Sequence, residues 1–190
     1  MNKIPKAPAL KDPVMLDKIL LSIQEELINK IGWLDHAFGR AQKLVTERDK
    51  KNHFYPAVYI GKMEYLNVLP GEHLGNRTFF YVNDPQVVEF NARHYNRIES
   101  PVSLICWYDL SSIYPRGKES NREDVKRQIL RVLTNVTIPG NGKLTINKIY
   151  EEAENIFSEF SIKEIETQFL MFPFAGVRFE GSLTFTEDCK

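Results

Sequence analysis

The sequence predicts an α+β protein: a two-layer sandwich whose mostly antiparallel sheet of roughly four to six strands carries two or three amphipathic helices on one face. Three observations support this class. Apolar residues recur at helical spacing near the beginning of the chain and again after its middle. The last segment alternates apolar and polar residues, as a strand with one buried face does. The strand-like runs between them do not alternate regularly with helices, which argues against a parallel βαβ sheet.

Length and composition are those of an ordinary globular domain. The 190 residues are 43% hydrophobic and 26% charged, and 25 basic residues balance 25 acidic ones. We predict a single domain over residues 12–188 behind a flexible N-terminal arm at 1–11, which is short, basic and contains proline. The balanced charge excludes a global attraction to nucleic acid or to an anionic membrane. Without a secretory h-region or an apolar run of ~18 residues, the protein is expected to be soluble and not secreted.

Cysteine usage fits a reducing cytosol. Cys106 and Cys189 are far apart in sequence and match neither a disulfide framework nor a CxxC metal motif. Cys106 lies in an apolar run and is expected to be a small core residue, whereas Cys189 is expected to be free.

A first helix is predicted from Asp12 to Gly32. Asp12 is a suitable N-cap, and Pro13 follows it at the position where a missing N–H has no cost. Six apolar residues then form one stripe at helical spacing: Leu16, Ile19, Leu20, Ile23, Leu27 and Ile31.

Short strands joined by polar turns are predicted next. Residues 33–41, which include Trp33 and Phe38, are expected to form a compact connector that tucks both rings under the sheet. The charged stretch 46–52 is expected to be a solvated loop. Strand-like segments follow at 54–60, 64–68 and 77–82. Pro56 indicates that the first of these lies at a strand start or at a sheet edge.

The middle of the chain combines an unpatterned region with a long strand. Residues 86–99 show no clear period, and 91–97 are expected to be an exposed loop or a segment that faces a partner. Residues 101–110 alternate, but both faces carry large apolar side chains, so we predict a central strand paired on both edges.

A second helix and a mixed region come next. Ser120 and Glu123 fit a capping box, and five apolar residues follow at helical spacing: Val125, Ile129, Val132, Leu133 and Val136. Residues 139–142 are predicted to be a tight turn and 144–149 a strand. The spacing of apolar residues from Ile149 to Phe160 predicts a third helix, and its boundary with the strand stays open. Residues 161–166 are expected to be a polar connection.

The closing strand is the strongest prediction. Between 175 and 185, one face carries Ala175, Val177, Phe179, Gly181, Leu183 and Phe185. Eleven residues in a strand span roughly 36 Å, which is long enough to cross a whole sheet. We therefore expect a central or near-central strand.

No residue pattern indicates an enzyme, so no catalytic, cofactor-binding or metal-binding residue is predicted. The sequence lacks P-loop and dinucleotide glycine patterns, a GxSxG elbow, and HxxxH or HxH pairs. The acidic run at 151–154 is interpreted as a solvated helix face. Six basic residues around the second helix are a candidate surface for phosphates or an acidic partner, with a solvated helix flank as the simpler interpretation: Arg116, Lys118, Arg122, Lys126, Arg127 and Arg131.

The order of these elements resembles the tail-terminator, or tail-completion, proteins of long-tailed bacteriophages and their prophage relatives. The resemblance covers most of residues 13–186, and it includes the early strand YPAVYIG at 55–61 and the closing strand FPFAGVRFEGSLTF at 172–185. It implies a non-enzymatic α+β subunit that forms a ring, usually a hexamer, at the head-proximal end of the tail. The implied partners are tail-tube and neck proteins, with no membrane. The implied location is the virion tail or neck, and the host bacterial cytoplasm during assembly.

A ring requires two different surfaces that meet head to tail. The candidates are the segments 62–77, 86–99 and 111–120, the arm at 1–11, and any free sheet edge. DNA contact is possible but not indicated.

Two alternatives remain open. One is a different neck, head-completion or interaction module. The other is a ligand-binding or enzymatic domain with a site built from scattered residues: His36, Trp107, Asp109 and Arg178.

Overall fold

The computed structural model describes residues 10–48, 50–71, 74–91, 95–114 and 121–188. Predictions about residues 1–9, Cys189 and 115–120 lie outside this part of the chain. The helices in the described residues are Met15–Lys30 (α1), Leu110–Ile113 (α2), Arg122–Asn135 (α3) and Ala153–Ile156 (α4), with 3₁₀ turns at Ile162–Glu164 and Thr167–Leu170. The strands are His36–Arg48 (β1), Lys51–Gly61 (β2), Glu64–Asn67 (β3), Arg77–Val82 (β4), Val87–Asn91 (β5), Tyr95–Asp109 (β6), Lys143–Tyr150 (β7) and Phe174–Asp188 (β8).

These strands form one mixed sheet of α+β class. Their order is β3-β2-β1-β4-β6-β8-β7, and β5 pairs with the part of β6 that extends beyond β4. Every pairing is antiparallel except that of β1 with β4. The predicted class and the mostly antiparallel sheet are confirmed, but the eight strands of the described chain exceed the expected number.

Alternation along β6 divides the core into two layers. Leu104, Cys106 and their neighbours pack with α1 and α3 on one side of the sheet, which we call the helix face. Ile105 and Trp107 point to the other side, which we call the aromatic face. There the segment containing α4 and the 3₁₀ turns supplies Ile156, Phe157, Phe160, Ile165 and Phe169. The two long helices therefore share one face as predicted, and a short irregular segment covers part of the other.

β6 and β8 form the centre of this arrangement. They pair along their full lengths, from Tyr95↔Asp188 to Asp109↔Phe174. The predicted inward residues of β8 from Ala175 to Phe185 lie in the helix-face core. Both predicted long strands are confirmed, and each pairs with other strands on both edges.

The two long helices begin later than predicted. α1 starts at Met15 with Val14 as its N-cap, and no side chain caps it. Asp12 has φ +55°, a left-handed conformation from which it does not start the helix. In α3 the cap is Asn121, whose side chain accepts a hydrogen bond from the backbone N–H of Asp124 at 3.0 Å.

Four predictions about loops and elements are wrong. The connector at 33–41 and the loop at 46–52 belong largely to β1 and β2, which pair from Ala41↔Val58 to Arg48↔Lys51. The unpatterned region 86–99 contains β5 and the beginning of β6. The third helix is reduced to the single turn α4, because β7 continues to Tyr150.

Candidate functional site

In the part of the chain that the structure describes, the outer edge of β5 is open. Its inner edge pairs with β6 from Val87↔Glu99 to Asn91↔Tyr95, and no other strand of the described chain pairs with it. β1 does not continue alongside, because its pairing with β4 ends at Ala41↔Tyr81 after a register shift between Ala37 and Arg40. Such a bulge bends the strand that contains it, and the β1–β2 hairpin leaves β5 uncovered.

Apolar side chains are exposed on both sides of β5. Val88 and Phe90 belong to the helix face and are 42% and 85% exposed, while Val87 on the aromatic face is 55% exposed. Glu89 lies between them. Edge strands in soluble proteins usually carry lysine, proline or a bulge that prevents further pairing. β5 has none of these within its sequence VVEFN.

β7 forms an open edge on the opposite side of the sheet and pairs only with β8 in the described chain. Its register places Leu144, Ile146 and Ile149 on the helix face, opposite Leu183, Gly181 and Phe179. Ile149 is 43% exposed. Lys143 and Lys148 lie on the aromatic face, opposite Thr184 and Glu180. β7 is thus an amphipathic edge with two basic residues on one side.

The third open edge, β3, is a poor docking strand. It has four residues, pairs only with β2 in the described chain, and begins with Glu64. Lys62 and Met63, which precede it, have positive φ angles of 52° and 65°. A four-residue edge that begins directly after two residues in the left-handed conformation offers few positions for strand addition.

A cavity of about 460 Å³ lies at the end of β6 away from β5, and Asp35, Trp107, Asp109 and Phe169 are among its lining residues. Asn76 fixes its wall, because its backbone N–H donates to Asp35 Oδ2 at 2.8 Å and its Oδ1 accepts from the Asp109 N–H at 2.7 Å. Trp107 Nε1 is buried without an acceptor among the described residues.

The scattered residues of the alternative ligand site do not share this cavity. Trp107 and Asp109 line it, whereas His36 and Arg178 do not. His36 stacks on Phe38 with ring centroids 5.3 Å apart. Arg178 is held by Glu159 instead, through Nη1 at 2.6 Å and Nη2 at 3.0 Å.

Sequence reasoning missed a second buried cation, Arg77. It is 1% exposed, and its guanidinium donates to the carbonyls of Val68, Leu69, Leu74 and Gly75 at 2.7–3.0 Å. Burial lowers its pKa to about 9. The isolated arginine before the apolar run TFFYV was the available signal. Arg77 ties the segment after β3 to the sheet and thereby shapes one wall of the cavity.

The basic residues of α3 are partly neutralised within the chain. Lys126 pairs with Glu123 and Glu151, and Arg127 pairs with Asp124. The predicted acidic helix face is also wrong in detail, since α4 begins at Ala153 and Glu151 lies in the preceding turn. These contacts favour a solvated flank over a phosphate-binding surface.

Within the described ranges, no cluster of three or more His, Cys, Asp or Glu side chains is arranged to hold a metal ion. None of the helices in this part of the chain is long and apolar enough to cross a membrane. No protein-family model matches the sequence, and no curated protein matches it either.

Proposed function

We propose that this chain is a non-enzymatic structural subunit that assembles with copies of itself into a ring, as a tail terminator does at the head-proximal end of a phage tail. The observation that carries the proposal is the open β5 edge with exposed Val87, Val88 and Phe90. An unprotected apolar edge of this kind is a template for another strand. The resemblance in element order suggests which kind of assembly uses it.

The energetics favour several contacts per subunit over a simple pair. Burying one large apolar side chain fully contributes about 1.5–3 kcal/mol. Val87, Val88 and Phe90 are 55%, 42% and 85% exposed, so together they supply at most about 6 kcal/mol. Association costs an estimated 4–15 kcal/mol in lost freedom of motion. One such edge gives weak association, whereas a closed ring gives every subunit two interfaces and leaves no free end.

Oligomeric state tests this function. Native mass spectrometry and sedimentation velocity of the full chain are expected to show one closed oligomer, a hexamer by the resemblance. The double variant Val88→Thr, Phe90→Ser should shift it to monomer. Met63→Ser is the matched control, because Met63 is 90% exposed but lies away from β5. A wild-type chain that stays monomeric, even with tail-tube protein added, would overturn the proposal.

A deletion phage separates a terminator from another neck component. Loss of a terminator is expected to give over-long or headless tails in electron micrographs. Tails of normal length attached to defective heads would instead favour a head-completion role.

The cavity beside Trp107 supports ligand binding as a second candidate function. Trp107, whose buried indole N–H has no acceptor among the described residues, lines a cavity of a size that small ligands occupy. A thermal-shift screen with free amino acids and nucleosides tests this function. A stabilising compound should lose its effect in Trp107→Phe and keep it in Trp33→Phe.

A further inference from the structure

We infer that β5 of one copy pairs antiparallel with β7 of the next copy, so that the sheet continues from subunit to subunit. This inference rests on the proposed self-assembly and names the two surfaces that meet. It follows from the positions of the two strands in the sheet, from their directions, and from the side chains on each face.

The two strands lie on opposite edges of the sheet, and their spans overlap at one row. Val87 pairs with Glu99, Glu99 with Thr184, and Thr184 with Lys143. Along this row the sheet is four strands wide, in the order β5-β6-β8-β7. One copy can therefore offer β5 on one side and β7 on the other, which is the head-to-tail arrangement that a ring needs.

The strand directions also match. β5 is antiparallel to β6, while β7 is antiparallel to β8 and so runs in the same direction as β6. A rotation about an axis roughly along the strands carries one copy to the next without turning its sheet over. β5 of the first copy then meets β7 of the second in antiparallel orientation.

The side chains are complementary on both faces. On the helix face, exposed Val88 and Phe90 of β5 meet the part of β7 that carries Leu144 and Ile146. On the aromatic face, Glu89 meets a strand that carries Lys143 and Lys148. Apolar pairs and opposite charges across strands both stabilise a sheet.

The other edge pairings are less favourable. Two β5 strands aligned over their full length would place Glu89 opposite the Glu89 of the second copy, and like charges in this position destabilise the pair. Pairing of β5 with β3 of a second copy would bring Glu64 towards Glu89 and would involve only four residues of β3. Among β3, β5 and β7, only β7 brings basic residues.

Two registers match both faces in the regular part of β7, before its register shifts between Ile146 and Lys148. One places Glu89 opposite Lys143 and Val88 opposite Leu144. The other places Glu89 opposite Thr145, with Val88 opposite Ile146 and Phe90 opposite Leu144. Lys143 is then diagonal to Glu89 and within reach of its side chain.

Disulfide trapping tests the pairing in a Cys189→Ser background. Val88→Cys is combined with Leu144→Cys or with Ile146→Cys, one partner for each register. Within one chain these positions are separated by β6 and β8, roughly 14 Å at the usual strand spacing. That is too far for a disulfide, so any cross-link joins two copies. Val88→Cys with Thr145→Cys is the control, because Thr145 lies on the other face.

The expected result is a covalent ladder that ends at the ring size with Leu144→Cys or Ile146→Cys and is weak with Thr145→Cys. An oligomer in native mass spectrometry without this face-specific ladder would overturn the pairing but leave the proposed function intact. A monomer would overturn both.

Charge reversal provides an independent readout. Glu89→Lys should raise the concentration needed for half-assembly about fivefold, and Lys143→Glu in the same chain should restore it. Glu89 also lies 4.0 Å from Arg97 in its own hairpin. Lys143→Glu cannot repair that contact, so rescue identifies the contact between copies. Glu64→Lys, an exposed change on β3, should leave assembly unchanged. Failure of Lys143→Glu to rescue would contradict the pairing.

Discussion

Arg178 illustrates how one charged residue can be buried in an otherwise aromatic layer. Its side chain is 3% exposed, and Glu159 contacts it through both carboxylate oxygens. The hydroxyls of Ser103 and Ser158 accept further hydrogen bonds from Nε and Nη1 at 3.1 and 2.9 Å. A buried cation is tolerated when it is paired and hydrogen-bonded in this way. Alternation predicts that Arg178 faces solvent, but the segment that contains Glu159 covers its side chain.

Removing the Glu159 carboxylate should lower the free energy of unfolding. Glu159→Gln keeps the size of the side chain but leaves only Glu180, 3.9 Å from Nη2, as a counter-charge for the buried guanidinium, and we expect a loss of about 3 kcal/mol in the free energy of unfolding. Guanidinium chloride titration measures it. Glu154→Gln, an exposed change on the adjacent α4, should have almost no effect. If Glu159→Gln and Glu154→Gln were equally stable, water or the serine hydroxyls would be compensating for the lost ion pair.

The same pair predicts a pH dependence. Burial favours the neutral form of Glu159, but the hydrogen bonds and charge of Arg178 outweigh it and lower the pKa of the carboxyl group. A lowered pKa in the folded state gives stability that is present above the unfolded value of about 4.3 and is lost as pH falls through the folded value. Wild-type stability should therefore fall more steeply than that of Glu159→Gln below about pH 4.3. If the stabilities of wild type and of Glu159→Gln fell equally as the pH is lowered, the Glu159–Arg178 pair would not cause the pH dependence.

At the scale of elements, burial determined what the sequence could predict. β8 was predicted because its alternation of polarity records one buried face, and β4 because it is rich in the aromatic and β-branched residues that strands favour. Residues 87–90 of β5 are exposed on both faces, and in the outer half of β1 only Leu44 and Thr46 are half-buried, so no clear alternation marks either segment. β1 forms through its hairpin with β2 and through its pairing with β4, which is distant in sequence. Such pairings are not encoded in a local pattern.

The candidate site was predicted only in outline. A free sheet edge and the segment 86–99 were named as candidate surfaces, and both are part of the β5 edge. The identity of the open strands depends on where the β1–β4 pairing ends, at Ala41↔Tyr81 after the register shift between Ala37 and Arg40. Sequence alone does not give that end point, because it depends on a partner strand about 40 residues away. The residues of the alternative ligand site do not form one site either, because the strands that contain them place them in separate environments.

Gly181 controls the position of β7. A Cβ at this residue would lie 1.8 Å from the backbone oxygen of Thr145, and backbone cannot move aside as a flexible side chain can. Gly181→Ala is therefore expected to displace β7 and to lower the free energy of unfolding by about 2 kcal/mol or more. Faster hydrogen exchange of the β7 amides should accompany this loss. Gly32→Ala, where a Cβ would meet nothing within 4 Å, is the control, and equal behaviour of the two variants would contradict this account.

At the scale of the whole molecule, the faces of the sheet are largely covered and its edges are not. α1 and α3 cover the helix face, and the segment around α4 covers part of the aromatic face. Unsatisfied apolar surface is left along β5 and at Ile149 of β7. We therefore expect copies to associate through their strand edges. The edge strand determines which strand of the next copy it pairs with and in which direction.

Association through these edges should make thermal stability depend on protein concentration, because binding that occurs only between folded copies stabilises the folded state by mass action. At a concentration about a hundredfold above the dissociation constant, the gain is about 2.7 kcal/mol. For a chain of this length it corresponds to a rise in Tm of roughly 5–10 °C. Scanning calorimetry across a concentration series should show this rise for wild type and for Met63→Ser. Val88→Thr, Phe90→Ser should unfold at one temperature throughout, since both residues are exposed in the monomer and their loss leaves its core unchanged. A wild-type Tm that does not vary with concentration would mean that the β5 edge has no partner in a second copy.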